Sequence, residues 1–362
     1  MKRLLLIIGT RPEAIKTCVL IKELKNRKKD IDLKVLSTGQ HKDMLDEVLK
    51  YEDIRVDFDL SLMKRGQKLS YLTERILNRV GRILDELLPD FVLVHGDTVT
   101  AFAGALSAFY KGIPVCHVEA GLRTYDKHNP YPEEFNRAAI SRMASYHFAP
   151  TEENKRNLIC EGIDEASIFV TGNTVIDALR KNVDEKYEDL RLPRGDFLIL
   201  TAHRRENLGE GMREVFSAVS TLATEERISV VYPVHKNEKI LPLAEEVFYG
   251  NAYVKLTEPL GVRDFHNFLS KCKFVITDSG GIQEEAAYLG KPLLITRKTT
   301  ERKELFTNCG AKLVGTDKEC ILLEAKKLLN DNEYYCSSSV PSKVFGDGCS
   351  SHRIAEILVS LP

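Results

Sequence analysis

Short apolar runs alternate with amphipathic segments along the whole chain, and this alternation limits the possible fold more than any single motif does. The first half reads RLLLIIG, DLKVLSTG, FVLVHGD, PVCHVEAG, YHFAP and SIFVTGN, each run followed by a helical stretch. The second half repeats the scheme with FLILTAH, ISVVYPVH, AYVKLTE, KFVITDSGG, KPLLIT and AKLVG. Runs that are apolar on both faces fit strands covered above and below, which means parallel sheets joined by crossover helices. The clearest helix spans Lys68 to Leu88, with Leu69, Leu72, Ile76, Val80, Ile83 and Leu87 on one stripe and Pro89 as its stop. Between the halves, Lys181 to Gly195 reads KNVDEKYEDLRLPRG, a charged stretch with a proline and a glycine. The expected organisation is α/β with two doubly wound domains, over residues 1–180 and 181–350. The last helix, 351–361, follows a loop rich in Ser and Gly and is expected to return to the first domain. Two such domains would turn the carboxyl ends of their strands towards one cleft, where α/β proteins bind ligands.

The chain has 362 residues, 43% of them hydrophobic and 29% charged, which is enough for two proper cores. A formal net charge of −1 leaves no electrostatic footprint for nucleic acid or an anionic membrane. The opening MKRLLLIIGT resembles a signal peptide only superficially, because its apolar run ends at Ile8 and leads into Arg11, Glu13 and Lys16. No stretch approaches the ~20 apolar residues of a membrane span. The eight cysteines are scattered without a C-x-x-C pair, as expected for reduced, mostly buried thiols in a cytoplasmic protein. No complete G-x-G-x-x-G, no H-E-x-x-H and no zinc spacing of Cys and His occurs, so neither a nicotinamide nor a metal site is expected. Asp57-Phe58-Asp59 could mimic an acidic metal pair, but its alternation reads as an exposed strand edge.

Four segments carry residues suited to chemistry. In Asp278-Ser279-Gly280-Gly281, after KFVIT, two glycines let backbone N–H groups approach a ligand, and the following helix start favours an anion. Such a turn can hold a phosphate, while Gln283, Glu284 and Glu285 behind it suit a partner with hydroxyls such as a ribose. The alternative is a plain strand-to-helix turn. GTRPEAIK, Gly9 to Lys16, follows the first strand. Pro12 starts a helix whose free amides, together with Arg11 and Lys16, would suit a diphosphate; a solvated helix start is the other reading. Three carboxylates stand where strands end or helices begin: Asp97, Glu119 and Glu133. Asp97 could simply cap a helix near Thr98 and Glu133 could serve a helix dipole. Glu119 closes a strand covered on both faces and needs a cationic neighbour or a catalytic task. Finally, TAHRRENLG places His203, Arg204 and Arg205 at a strand end, where a histidine can bind phosphate or protonate a leaving group, and His235 in YPVH repeats the position one strand later.

Taken together, GTRPEAIK, TGQHKDML, VHGDT, HVEAGLR, PEEFNR, HRREN, PVH, EPL and DSGGIQEEA stand in an order and spacing that resembles the non-hydrolysing UDP-N-acetylglucosamine 2-epimerases over nearly the whole chain. The resemblance implies a glycosyltransferase-B-like fold of two Rossmann-like domains, a sugar nucleotide bound between them, no cofactor, and a homodimer. It implies catalytic roles for Asp97, Glu119, Glu133 and His203. It implies binding of UDP-N-acetylglucosamine and UDP by Arg11, Lys16, His203, His235, Phe265, Ser279, Gly280, Gly281, Glu285 and Arg302. Without it, Phe265 in GVRDFHNFL reads only as helix core. Lys303 stands where the family usually has a proline after the arginine, which leaves the path of that loop open. Gln40, His41 and Arg204 match an effector site for a second UDP-N-acetylglucosamine, although Gln40 and His41 could equally cap the helix beginning near Lys42, and Asp43 departs from some relatives.

The reaction that the resemblance implies agrees with these residues. Carbon 2 of N-acetylglucosamine has no adjacent carbonyl, so inversion there requires either oxidation or loss of the neighbouring leaving group. With no nicotinamide site, elimination of UDP to a 2-acetamidoglucal and its re-addition is the simpler route, and several carboxylates can serve both faces of the sugar. Alternatives are a glycosyltransferase on the same fold, a hydrolysing epimerase, and a non-catalytic sugar-nucleotide sensor. The sensor accounts least well for the acidic residues, because carboxylates near a diphosphate cost binding energy.

Overall fold

The computed structural model describes all residues except 41, 64–65, 205–206 and 235–237, and the side chains of 42, 43 and 308. Thirteen strands form two sheets among the described residues, and every paired neighbour runs parallel. The chain separates into two compact units, residues 1–178 with 345–362, and residues 179–344.

The first unit holds β1 (Lys2–Ile8), β2 (Ile31–Ser37), β3 (Phe58–Asp59), β4 (Phe91–His95), β5 (Val115–Val118), β6 (Tyr146–Ala149) and β7 (Ile168–Val170), in the order β3-β2-β1-β4-β5-β6-β7. Its strands are buried almost throughout: Leu4 to Ile8, Val92 to Val94, and Val115 and Cys116 have essentially no exposed surface. This is why they read as continuous apolar runs rather than alternating ones. Phe58–Asp59 is the edge strand. The helix Leu69–Leu87 lays Leu72, Ile76, Val80 and Leu84 into this core, whereas Leu69, expected on the stripe, is exposed in the first turn. At the carboxyl end Leu84, which the spacing left off the stripe, is the buried residue, and Ile83 and Leu87 pack against the core only in part. The helix Ser350–Ser360 belongs to the same unit and packs on the helix Arg11–Asn26. The Asp177 carboxylate accepts from the N–H groups of Ser350 and Ser351 at its start, and the Lys2 ammonium donates to carbonyls of Leu358 and Val359 at its end.

The second unit holds β8 (Phe197–Thr201), β9 (Ser229–Pro233), β10 (Val254–Thr257), β11 (Phe274–Thr277), β12 (Leu293–Ile295) and β13 (Ala311–Leu313), in the order β10-β9-β8-β11-β12-β13. The charged stretch after Lys181 belongs to this unit: Tyr187 Oη and Arg191 Nη2 both bond to Asp264. In each sheet the strand order reverses direction once, between β1 and β4 and between β8 and β11. Such switch points leave a crevice at the carboxyl ends of the strands. Gly9 follows β1 directly, and Asp97, His203 and Ser279 each stand two residues beyond the ends of β4, β8 and β11.

Of the cysteines, Cys18, Cys116, Cys272 and Cys309 are buried, while Cys160 and Cys336 are exposed and all eight are free thiols, fewer of them buried than expected. No helix of the described residues is long and apolar enough to cross a membrane.

Candidate active site

In the first unit, candidate residues gather at the ends of β1, β4 and β5. Gly9 follows β1 because no Cβ fits there: one would stand 2.2 Å from the hydroxyls of both Thr38 and Thr100. Thr10 then caps the helix Arg11–Asn26, and Glu13 completes a capping box. The Glu13 carboxylate accepts from the N–H of Gly9 at 3.0 Å, the N–H of Thr10 at 2.7 Å, and the hydroxyls of Thr10 and Thr98. This narrows the expectation of free amides facing a diphosphate at this helix start, since the two that lead into it are taken. The amides of Gly9 and Thr10 are already spent on Glu13, and the positive character of this corner comes from Arg11 and Lys16. Burial lowers the pKa of the Arg11 guanidinium, against the opposing charge of Glu47.

Glu119 lies just past β5 and is 7% exposed. Its backbone takes the left-handed conformation, φ 64°, unusual for a residue with a side chain and costly by about 1–3 kcal/mol. Its carboxylate explains that cost. Lys16 pairs with Oε1, and Asn173 Nδ2 donates to the same oxygen at 2.8 Å. His95 Nδ1 stands 3.8 Å from Oε2, and Gly96 passes close enough that a Cβ would lie 3.0 Å from Oε2. Burial pushes the His95 imidazole down to about 4, with Glu119 pulling the other way, so at neutral pH the imidazole is uncharged and Lys16 is the countercharge. The cationic neighbour that Glu119 required is Lys16.

Asp97 follows β4 and is not the cap of the next helix; Thr98 is, accepting from the Ala101 N–H. Asp97 instead pairs with Arg137 Nη2 at 2.6 Å, and Asn136 Nδ2 donates to its carbonyl at 2.9 Å. Both partners sit on the helix Glu133–Met143, so the PEEFNR segment is tied to the end of β4. Its two carboxylates divide the labour. Glu134 is buried and accepts from the N–H groups of Thr124 and Tyr125, while Glu133, the first helical residue, stays partly exposed. Gln40 Oε1 accepts from the Thr100 hydroxyl at 2.9 Å, beside Thr38.

In the second unit, candidate residues gather at the ends of β8 and β11. Asp278 is fully buried, and its Oδ2 accepts from the N–H groups of His203 and Arg204 at 2.9 and 2.8 Å. Its Oδ1 lies 3.4 Å from His203 Nδ1, so the imidazole is anchored to the strand carrying the glycine turn. Sequence reading missed Asp278 as a holder of His203, because the two are 75 residues apart. The helix Gly280–Tyr288 begins at the turn with Ser279 as its N-cap residue. A Cβ on Gly280 would stand 2.5 Å from Arg302 Nη1, whereas one on Gly281 would meet nothing within 4 Å. Arg302 is 3% exposed, with Nε on Glu284 at 2.5 Å and Nη1 on Glu301, itself beside Arg297. Arg302, expected as a ligand contact, packs against Gly280 of the turn. Glu285 is buried with His266 Nε2 3.2 Å from its Oε1, and Phe265, next to His266, is half-buried. His41 and His235 lie outside the described residues. Among the described residues, no group of three or more His, Cys, Asp or Glu is placed to hold a metal ion.

Two parallel sheets with helices on both sides, and candidate residues at their switch points, define an α/β protein of the glycosyltransferase-B-like type. The family model for UDP-N-acetylglucosamine 2-epimerase matches residues 22–359, and the chain belongs to that family, whose members are isomerases. The UDP-N-acetylglucosamine 2-epimerase of Bacillus subtilis (strain 168) is 49% identical over 99% of this chain and 95% of its own length. The Neisseria meningitidis enzyme, solved bound to UDP-GlcNAc, is 40% identical with a TM-score of 0.93, covering 99% of this chain and all of that one. S. aureus MnaA, solved with UDP, is 43% identical with a TM-score of 0.94, covering 99% and 96%.

Proposed function

We propose that this chain interconverts UDP-N-acetylglucosamine and UDP-N-acetylmannosamine by elimination and re-addition of UDP through a 2-acetamidoglucal. The observation that carries the mechanism is the Glu119 carboxylate, held in strained backbone against Lys16 and Asn173 at the end of β5. In the forward half-reaction a carboxylate takes the proton from carbon 2, and the electron pair of that C–H bond forms the C1–C2 double bond. The C1–O bond breaks with its electrons leaving on UDP. In the return, a second group protonates carbon 2 from the opposite face and the UDP oxygen re-forms the bond to carbon 1. Asp97, Glu119 and Glu133 supply these acids and bases, each placed beside a cation or at a helix start.

The Ser279-Gly280-Gly281 turn holds the diphosphate, with His203, Arg11 and Lys16 countering the charge that UDP gains as it leaves. Phe265 and Glu285 hold the nucleoside, His235 adds to the phosphate contacts, and Arg302 keeps the turn in shape. Gln40, His41 and Arg204 receive a second substrate molecule as effector. The enzyme works as a homodimer in the cytoplasm.

Incubation with UDP-N-acetylglucosamine in heavy water tests this reading. UDP-N-acetylmannosamine carrying deuterium at carbon 2 is expected, without accumulation of free sugar. Product with its carbon 2 hydrogen retained overturns the elimination route, and release of free N-acetylmannosamine overturns the non-hydrolysing one. Asp97→Asn, Glu119→Gln and Glu133→Gln each keep shape and lose proton transfer, so kcat falls by about 10² or more.

A further inference from the structure

Glu284 and Glu285 are consecutive buried carboxylates that the fold treats differently. Glu284 accepts from Nε of the Arg302 guanidinium, a full countercharge whose Nη1 bonds to Glu301. Glu285 faces an imidazole: His266 Nε2 lies 3.2 Å from Oε1, with His266 2% and Glu285 6% exposed. His266 Nδ1 is in turn 3.2 Å from Asn182 Nδ2, and Asn182 is 5% exposed. An amide nitrogen can only donate, so Nδ1 accepts and the ring proton sits on Nε2, which donates to Glu285. Asn182 ends the helix Thr174–Asn182, and its backbone carbonyl accepts from Asn267 Nδ2 at 2.9 Å, which ties this helix end to the helix that carries His266. The row Asn182, His266, Glu285 therefore aims one carboxylate oxygen at the imidazole and sets the orientation of the other.

Glu285 lies five residues beyond Gly280 along the helix Gly280–Tyr288, an advance of about 7.5 Å at 1.5 Å per residue. That is the span from a phosphate on the turn to the hydroxyl edge of the attached ribose. We infer that His266, held by Asn182, is the positioning residue that presents the Glu285 carboxylate to a ribose hydroxyl, and that this row makes the site select ribonucleoside over deoxyribonucleoside diphosphates. The inference rests on the UDP site proposed above. A carboxylate paired with a charged guanidinium, as Glu284 is, already has its charge countered. One steadied by a neutral N–H keeps its charge for the ligand and is still restrained to a single rotamer. Without the imidazole, Glu285 would swing, and the hydroxyl would lose its fixed acceptor.

The test measures the dissociation constants of UDP and 2′-deoxyuridine diphosphate by calorimetry on the whole protein and on three variants. The wild type is expected to favour UDP by about tenfold or more, the worth of one hydrogen bond to a charged acceptor. Glu285→Gln should collapse that ratio towards one. His266→Phe, which keeps the ring and removes the donor, should reduce it by about threefold to tenfold, with a matching rise in KM and little change in kcat. His266→Gln places an N–H near the position of Nε2 and should restore it. A wild type that binds no UDP would overturn the nucleotide site itself. UDP binding with a ratio unmoved in Glu285→Gln would overturn the role of Glu285. A ratio that falls in Glu285→Gln but stays at the wild-type value in folded His266→Phe would overturn the positioning role alone. A loss in His266→Phe that His266→Gln does not restore would assign His266 to packing and equally overturn it.

Discussion

Gly280 and Gly281 are adjacent, yet adding one methyl group to each should have opposite consequences, and this separates a phosphate cradle from an ordinary strand-to-helix turn. At Gly280 the new Cβ would stand 2.5 Å from Arg302 Nη1 and 2.9 Å from its Cζ. The guanidinium cannot easily yield, since Glu284 and Glu301 hold it in a buried site, so Gly280→Ala should cost about 1–3 kcal/mol by overpacking. At Gly281 the methyl meets nothing within 4 Å and the backbone is already helical. Gly281→Ala should therefore stabilise the second unit by about 0.5–1 kcal/mol through the lower entropy of its unfolded chain. That corresponds to a rise of about 1–4 °C in the melting temperature of a unit this size. The open space that makes the methyl harmless to the fold is where the phosphate oxygens would approach the N–H groups of the turn. Losing one such charge-assisted hydrogen bond costs about 1.5–3 kcal/mol, a weakening of UDP binding by roughly 10- to 150-fold. Differential scanning calorimetry and isothermal titration with UDP on the two variants provide the readouts. A Gly281→Ala protein that is stabilised as expected and binds UDP with wild-type affinity would refute the argument, because the turn would then not touch the phosphate.

Asn173→Asp keeps the oxygen that accepts from the Val175 N–H but replaces the donor facing Glu119 with a second carboxylate oxygen. Its kcat near neutral pH should fall by roughly 10- to 100-fold and the acid limb of the pH–rate profile should move up by about one unit or more; an unchanged profile in a folded variant would refute this. Starting from UDP-N-acetylmannosamine alone, turnover should show a lag that a trace of UDP-N-acetylglucosamine abolishes, since an effector that prefers one state shifts the population. Immediate full-rate turnover, the same in Gln40→Ala, would show that no effector acts. Burial pushes His95 down to about 4 and His117 down to about 3, and lowers His147 as well. Their stabilising contribution is present above the unfolded histidine value of about 6.5 and is lost as pH falls towards 4 and below. Glu13, raised to about 7 by burial, acts in the opposite sense between about 4.5 and 7, but one carboxyl stands against three histidines. The first unit should thus lose melting temperature from pH 6.5 downward; a flat curve to pH 4.5 would contradict it.

The layout of both sheets was legible because parallel strands buried on two faces cannot hide their apolar character, and the carboxylates at their ends stood out against it. The capping box was legible too, as Thr10 and Glu13 at the required spacing, but Pro12 and the two cations drew the reading towards an open anion site. Its meaning depends on where a side chain folds back, and Glu13 folds onto the amides that a ligand would need. Long-range pairs were not legible. Asp278 serves His203 across 75 residues, and Arg302 turns to Glu284 rather than to solvent. Lys303, in place of the usual proline, gave no sign of this. His266 was not legible either, because its two partners come from segments 84 residues before it and 19 after it. The left-handed backbone at Glu119 follows from no local preference of glutamate, and only the ring of partners around its carboxylate accounts for it.

The return of the helix Ser350–Ser360 to the first unit sets the order in which this protein matures on the ribosome. The first sheet is synthesised early, but the segment that covers the helix Arg11–Asn26 and satisfies Asp177 and Lys2 emerges only after the whole of residues 179–344 has been translated. At about 5–20 residues per second that interval is roughly 8–30 s, far longer than a domain of this kind needs to collapse. The nascent amino-terminal half therefore waits with an uncovered apolar helix face while the second unit, contiguous in sequence, completes itself first. Chaperone demand during synthesis falls on the half that is made first and finished last.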